Sequence, residues 1–332
     1  MNFLSSKTTG FNQHIAVLPI GGFDATSPLV WSKEALLPAV KYVLNGVDTG
    51  DSYFTGFVLT PIKTGANKYL HPLYTGFGEL PTIQDWQTYM ALLFSDQYNL
   101  KALEELAVRP LDIWIGLPYP IISQTNFGVV NGKSLSFANQ ADREEALKWW
   151  ITTFLATWNQ QGFTKLNLKG FYWLRESLIP EDESPITNIN QYIHTLGYKT
   201  MWLPNYGGFG VTNPWKGESM NFDLTAINTN YYGNTPITHD WINHSSNFAK
   251  FYQAGLQINV GKGITFNQYH LYDFLNLGLP HRNNYIDDCV LVFNFHDMSI
   301  QEFARDRNAD YQQIYLFMKK LYVEQSYPGR SY

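Results

Sequence analysis

Cysteine is almost missing from this chain: Cys289 is the only one in 332 residues. That excludes an intrachain disulfide framework and a thiolate metal cluster. Cys289 itself opens the apolar run CVLVFNF and reads as a small buried hydrophobe. Charge is scarce as well. Only 15% of residues are charged, the net charge is −5, and no long run of Lys or Arg occurs, which argues against a nucleic-acid surface. The histidines, among them His71, His194, His239, His244, His270 and His281, show neither HExxH nor HxH spacing, so no metal site is expected. No GxSxG elbow is present, which speaks against a serine hydrolase. The GGFD turn at 21–24 lacks the glycine spacing of a dinucleotide-phosphate turn, and no cofactor is expected. The first residues, MNFLSSKTTGFNQHIAVLP, have no basic start and no long apolar stretch, so neither a secretory signal nor a membrane span is expected. An intracellular protein, a virion component and a secreted form without its leader all remain open. One glycosylation triplet, Asn243-His244-Ser245, decides nothing by itself.

Aromatic residues are what the chain has in abundance: 22 Tyr, 22 Phe and 10 Trp, or 16%. A thick core explains part of this. Stacking platforms for sugar rings, whose C–H faces lie well on aromatic rings, explain the rest. The length suits one large domain or two ordinary ones, and no linker or composition shift marks a boundary.

Short apolar, β-branched or aromatic runs between turn signals give eight strands, near 14–19, 54–60, 112–117, 170–174, 200–203, 224–228, 255–260 and 290–295. Helical spacing fills the gaps at 34–44, 83–94, 100–108, 142–158, 189–196, 238–254, 267–277 and 309–324. Alternating strands and helices predict an α/β chain with a parallel sheet, and eight strands close a barrel. The expectation is a single (β/α)8 TIM-type barrel over 1–332, with a doubly wound open sheet as runner-up. Long connections rich in Gly, Asn, Tyr and Pro come after strands two and three, at 64–82 and 119–140. Both leave carboxyl ends of strands, the face where barrels place their sites, and serve as binding walls or lids.

Three strands break into polar and aromatic tips. GFYWLRES exposes Arg175 and Glu176 beside Trp173, KTMWLPNYGG exposes Asn205 and Tyr206, and FDLTAINTNYYG exposes Asn230, Tyr231 and Tyr232. A lone carboxylate among Trp, Tyr and Asn suits an uncharged, hydroxyl-rich ligand, so the expected partner is a poly- or oligosaccharide. Glu176 is the candidate general acid/base, its pKa raised by aromatic neighbours such as Trp173 and Tyr206. The plainer reading pairs it with Arg175. Glycoside cleavage uses two carboxyl groups. The partner candidates are Asp24 after strand one, Asp297 after strand eight and Glu79 in the loop after strand two. Asn205, Tyr206, Asn230 and Tyr231 read as hydroxyl recognition and ring stacking, or as packing at the barrel mouth. His296 beside Asp297 is placed to position a substrate or a water, or is a satisfied surface histidine.

Five segments carry a family likeness: LLPAVKYV (36–43), IQDWQTYMALLFSDQYNLKALEEL (83–106), GFYWLRES (170–177), QYIHTLGYKTMWLPNY (191–206) and NFDLTAINTNYY (221–232). Together they resemble the DUF4855 family, which looks like a relative of TIM-barrel glycoside hydrolases. The resemblance implies a hydrolase-like barrel with Glu176 at strand four. It also implies glutamates on strand seven in an EIE-like run. Here GLQINVG puts Gln257 and Asn259 there, and the strand-six tip, resembling QPNY, reads Asn228-Thr-Asn-Tyr231. Two function classes therefore stay open: a glycoside hydrolase using Glu176, or a catalytically degenerate carbohydrate-binding or structural barrel, as on a phage or cell surface.

Overall fold

Eight strands pair side by side, all parallel, and close on themselves in the order of the chain. They are β1 (His14–Ile20), β2 (Gly56–Pro61), β3 (Leu111–Gly116), β4 (Leu166–Trp173), β5 (Lys199–Trp202), β6 (Leu224–Asn228), β7 (Gly255–Val260) and β8 (Leu291–Phe295). The computed structural model describes residues 1–21, 30–65, 67–208, 220–233, 238–261, 267, 269–296 and 299–332. Strands β2, β3 and β7 are buried at every position. That is the mark of a parallel sheet covered on both faces, and it is why they read as continuous apolar runs. The (β/α)8 expectation holds.

Among the described residues, nine α-helices of more than one full turn lie outside the barrel. They are α1 (Lys33–Val40), α2 (Ile83–Leu93), α3 (Asn99–Leu106), α4 (Gln140–Gln161), α5 (Pro180–Thr195), α6 (Asp240–Tyr252), α7 (His270–Leu277), α8 (Ile300–Asp306) and α9 (Asn308–Met318). Local chemistry sets their ends. α4 starts at N-cap Asn139 and stops at Gly162, whose φ of 63° ends it in a left-handed cap. α5 begins nine residues before the predicted 189, because Pro180 opens it and Glu181, Asp182 and Glu183 fill its first turn. No described helix is long and apolar enough to cross a membrane.

Two hairpins escaped the helical reading. The predicted helix 34–44 stops at Val40, and the chain turns into an antiparallel ribbon, Lys41–Leu44 with Val47–Ser52. The turn is Asn45-Gly46, both at positive φ (51° and 81°), the strongest short hairpin signal. Asn131-Gly132 repeats the device between Gly128–Val130 and Lys133–Leu135, inside the long connection after β3. The last predicted helix, 309–324, ends at Met318, and the chain beyond it runs as an extended tail.

Much of the aromatic surplus is structural. Trp86, Trp114, Trp150 and Trp202 are fully buried. Tyr42 of the first hairpin stacks on Tyr315 of α9 at 3.6 Å, and Tyr53 on Tyr311 at 4.2 Å.

One irregularity shapes the site. The pairing of β3 with β4 shifts between Ile113 and Trp114, so that Leu168 and Gly170 face successive partners and Lys169 is the extra residue. Gly170 lies so close to β5 that a Cβ there would come within 1.8 Å of the Lys199 carbonyl oxygen. A bulge bends its strand and re-aims the side chains beyond it. Beyond this one lies the tip that carries Glu176.

Candidate active site

The turn after β4 is bolted to β5. The Trp202 indole donates to the Arg175 carbonyl at 2.7 Å, and the Asn205 N–H to the Glu176 carbonyl at 3.1 Å. These bonds leave the Glu176 side chain at the carboxyl end of the barrel, partly buried and densely surrounded. Burial raises its pKa to about 7, against hydrogen bonds from Asn205 and Asn228 that favour the ionised form. No Lys or Arg among the described residues contributes. Tyr74, in the connection after β2, and Tyr232, after β6, lie close enough that Glu176 helps raise each phenol to about 12, after the larger effect of burial. Tyr172, wholly buried, is pushed upward by the same two causes.

Behind the carboxyl runs a ladder of amides. Asn228 donates to Asn205 Oδ1 at 2.9 Å, Asn259 to Asn228 Oδ1 at 2.9 Å, and Gln257 to Asn259 Oδ1 at 2.8 Å. A carboxylate can only accept, so Asn205 and Asn228 turn their NH2 groups toward Glu176 and their oxygens backward. That orientation propagates to Gln257, whose buried Oε1 meets no donor among the described residues. His296 shares Asn259 Oδ1 at 2.9 Å through Nε2, which must therefore carry the proton. Burial lowers the His296 pKa to about 4, so the ring is neutral.

The sequence-derived candidates divide on this geometry. Asn205 bonds to Glu176 directly. Asn230, at φ 53°, donates its N–H to Asn228 Oδ1 at 3.0 Å. Gln257 and Asn259 are wholly buried and form the floor, out of a ligand's reach except through Asn228. Arg175 is not the partner of Glu176. Its guanidinium donates to the Ser177 carbonyl at 2.9 Å and to the Tyr119 hydroxyl at 3.1 Å, beside buried Asp182 at 3.7 Å. Burial raises Asp182 to about 6, against the Tyr119 hydrogen bond and the charge of Arg175.

Three of the aromatic candidates pack against neighbouring side chains. Trp173 is buried edge-on against Tyr119, and its indole N–H has no hydrogen-bond partner among the described residues. Tyr206 packs against Trp241 and Phe248 at 5.0 and 5.4 Å. Tyr231 is 1% exposed and hydrogen-bonds Asp273, so it offers no face to a ligand. Among the described residues, the tyrosines that feel the charge of Glu176 are Tyr74, Tyr172 and Tyr232. Glu79 is exposed, in an isolated bridge to Lys68, and its carboxylate pairs with the Lys68 ammonium at 2.7 Å. Asp24 and Asp297 lie outside the described residues. Among the described residues no group of three His, Cys, Asp or Glu could hold a metal ion.

The strand-four tip and the WLPNY unit stand at adjoining strand ends of one barrel, and the family profile described as "Domain of unknown function (DUF4855)" matches residues 20–320. The chain belongs to the DUF4855 family. Among curated proteins nothing matches this DUF4855 chain. Among solved structures it is similar to a xylanase–α-amylase inhibitor protein determined in complex with trehalose. That likeness has 12% identity and a TM-score of 0.44, over 91% of this chain and 98% of the other.

Proposed function

We propose that this DUF4855 barrel is a glycoside hydrolase acting on a polysaccharide, with Glu176 as its general acid/base. The observation that carries the reading is a single carboxyl at the end of β4, with its pKa at about 7 and two amides holding its oxygens. Such a group exchanges its proton near neutral pH, and it can both give and take back a proton. In the forward step Glu176 gives its proton to the glycosidic oxygen as the C1–O bond breaks, and the leaving sugar departs as an alcohol. For inversion a water attacks C1 and a second carboxylate removes its proton; for retention that carboxylate bonds to C1, and Glu176 takes the proton of the water that then releases the sugar. We assign the second carboxylate to Asp24, which follows β1 in sequence, or Asp297, which follows β8; a carboxyl separation of about 5–5.5 Å gives retention and one of about 6.5–9.5 Å gives inversion. Asn205 and Asn230 suit hydroxyl recognition, and Tyr74 and Tyr232 supply rings and phenolic donors around Glu176.

A second reading is favoured by β7, where Gln257 and Asn259 lock into amide hydrogen bonds instead of offering a carboxylate. On that reading the barrel binds a glycan and does not cleave it. A panel of polysaccharides incubated with wild type and Glu176→Gln, with product analysis on each, separates the two. Fragments from wild type alone support the hydrolase. Retention of a glycan by both proteins without fragments supports the binding barrel, and neither retention nor fragments overturns both.

A further inference from the structure

The wall of the site that carries Asn230 and Tyr232 is held from behind. Tyr231, between them, points away from Glu176 and donates its hydroxyl to Asp273 of α7. The Tyr232 carbonyl accepts from the Asn267 N–H at 2.9 Å. Gly233, at φ 70°, lies so near the start of α7 that a Cβ would come within 2.8 Å of the Asn267 Cβ and 2.9 Å of the His270 Cβ. The turn after β6 is therefore seated on the first turn of α7.

The extended tail seats α7 in turn. Asp273 is completely buried. Besides Tyr231 it receives the Tyr332 hydroxyl at 2.7 Å and an ion pair from Arg330 at 3.3 Å. Arg330 also reaches Asn267 Oδ1 at 3.5 Å and lies over the Tyr269 ring. Tyr327 packs against Tyr269 and Tyr272, with centroids 4.6 and 4.9 Å apart. A buried carboxylate that spends both oxygens on a guanidinium and two phenols has little freedom to move, because each donor lost leaves charge uncompensated in the interior.

We propose that residues 327–332 form a strap that, through Asp273 and Tyr231, positions Asn230 and Tyr232 beside Glu176. Asp273, Tyr231 and Tyr332 are then positioning residues and touch no substrate. The path ends at the ring of Tyr232, which helps keep water off the carboxyl. The strap matters to catalysis only if Glu176 is the acid proposed above, but its hold on that carboxyl can be tested without turnover.

The test is a 13C titration of the glutamate carboxyls in the full chain, with the Glu176 signal identified by its loss in Glu176→Gln. Among the described residues, three titratable groups face that carboxyl: Tyr74 from the connection after β2, Tyr172 from β4 and Tyr232 from the turn after β6. All three stay neutral across the titration, and the assigned second carboxylate is the same in every variant, so a shift of the midpoint between variants reports a change in enclosure. In Tyr231→Phe and Asp273→Asn the midpoint is expected to fall by about one pH unit from about 7, toward an ordinary carboxylate, as Tyr232 withdraws and water enters. Tyr332→Phe, which keeps the ring and removes one bond, shifts it less and in the same direction. If Asp273→Asn does not fold, the two tyrosine variants decide. An unchanged midpoint in every folded variant, with only the melting temperature lowered, makes the strap plain packing and overturns the proposal. A shifted midpoint in a protein that cleaves no glycan keeps the strap and removes the hydrolase.

Discussion

Asn205 and Asn228, joined side chain to side chain at 2.9 Å, both hydrogen-bond the carboxyl of Glu176, although they come from different strand ends. The bridge continues the pairing of β5 and β6 past the end of the sheet. It opposes the effect of burial, since a hydrogen bond to an ionised carboxylate favours the charged form.

Removing one of these donors without opening the site should therefore raise the Glu176 pKa further. Asn205→Leu keeps the volume and loses the amide. A charge-assisted hydrogen bond is worth roughly 1.5–3 kcal/mol, so the midpoint should move up by about one pH unit or more. A carboxyl titration of the variant checks this, and a downward shift would contradict the burial argument.

Glu176 also leaves a mark on stability. Its folded pKa of about 7 lies above the ordinary glutamate value of 4.5. Between those values the folded chain holds a proton that the unfolded chain has released, so this group makes stability fall as pH rises from about 4.5 to 7. Asp182, raised to about 6 from 3.8, works in the same direction. Glu176→Gln should stabilise the fold at pH 8, on the order of 3 kcal/mol, and hardly at all at about pH 4. Denaturant unfolding at the two pH values measures the difference.

The buried histidines act with the opposite sign. His296 falls from 6.5 to about 4 through burial, and His71 does the same. Below pH 6.5 the unfolded chain binds protons that the folded chain refuses, so stability is lost as pH falls from about 6.5 to 4. His296→Gln keeps a donor for Asn259 and removes the titration. Its acid unfolding midpoint should move to lower pH, with stability at about pH 8 changed by less than about 1 kcal/mol.

Gly170 tests how β4 is aimed. A methyl group there meets the Lys199 carbonyl oxygen, backbone that cannot swing aside. Gly170→Ala should cost about 1–3 kcal/mol by overpacking, and it should shift the Glu176 titration because the strand tip moves with the displaced sheet. Unfolding and titration of the same variant check both parts.

The barrel was legible because its signal is periodic and repeated: β6 and β7 fall on the predicted residues, and the other strands within a few. The hairpins were missed because Lys41–Leu44 continues the helical spacing of α1, although Asn45-Gly46 and Asn131-Gly132 were there to be read. Glu176 was legible as the carboxylate at a strand tip. Its surroundings were less so, because side-chain direction past a strand end is set by neighbours distant in sequence. Tyr231 and Tyr232 are adjacent and chemically alike, yet Asp273 draws the first into the interior while the second faces Glu176. Tyr74 comes from the connection after β2, far from Glu176 in sequence, and no local pattern marked it. Asn228 read as the last residue of a strand, and only the parallel register with β5 and β7 makes it the centre of the amide ladder.

The proposed hydrolysis turns on the protonation of one carboxyl, and the most direct measurement is the 13C titration of Glu176 in the unaltered protein. A midpoint near 7 is predicted, the value a proton donor needs at neutral pH. A midpoint near 4.5 would mean a solvated, permanently ionised group, and Glu176 could not be the acid of any hydrolysis at neutral pH.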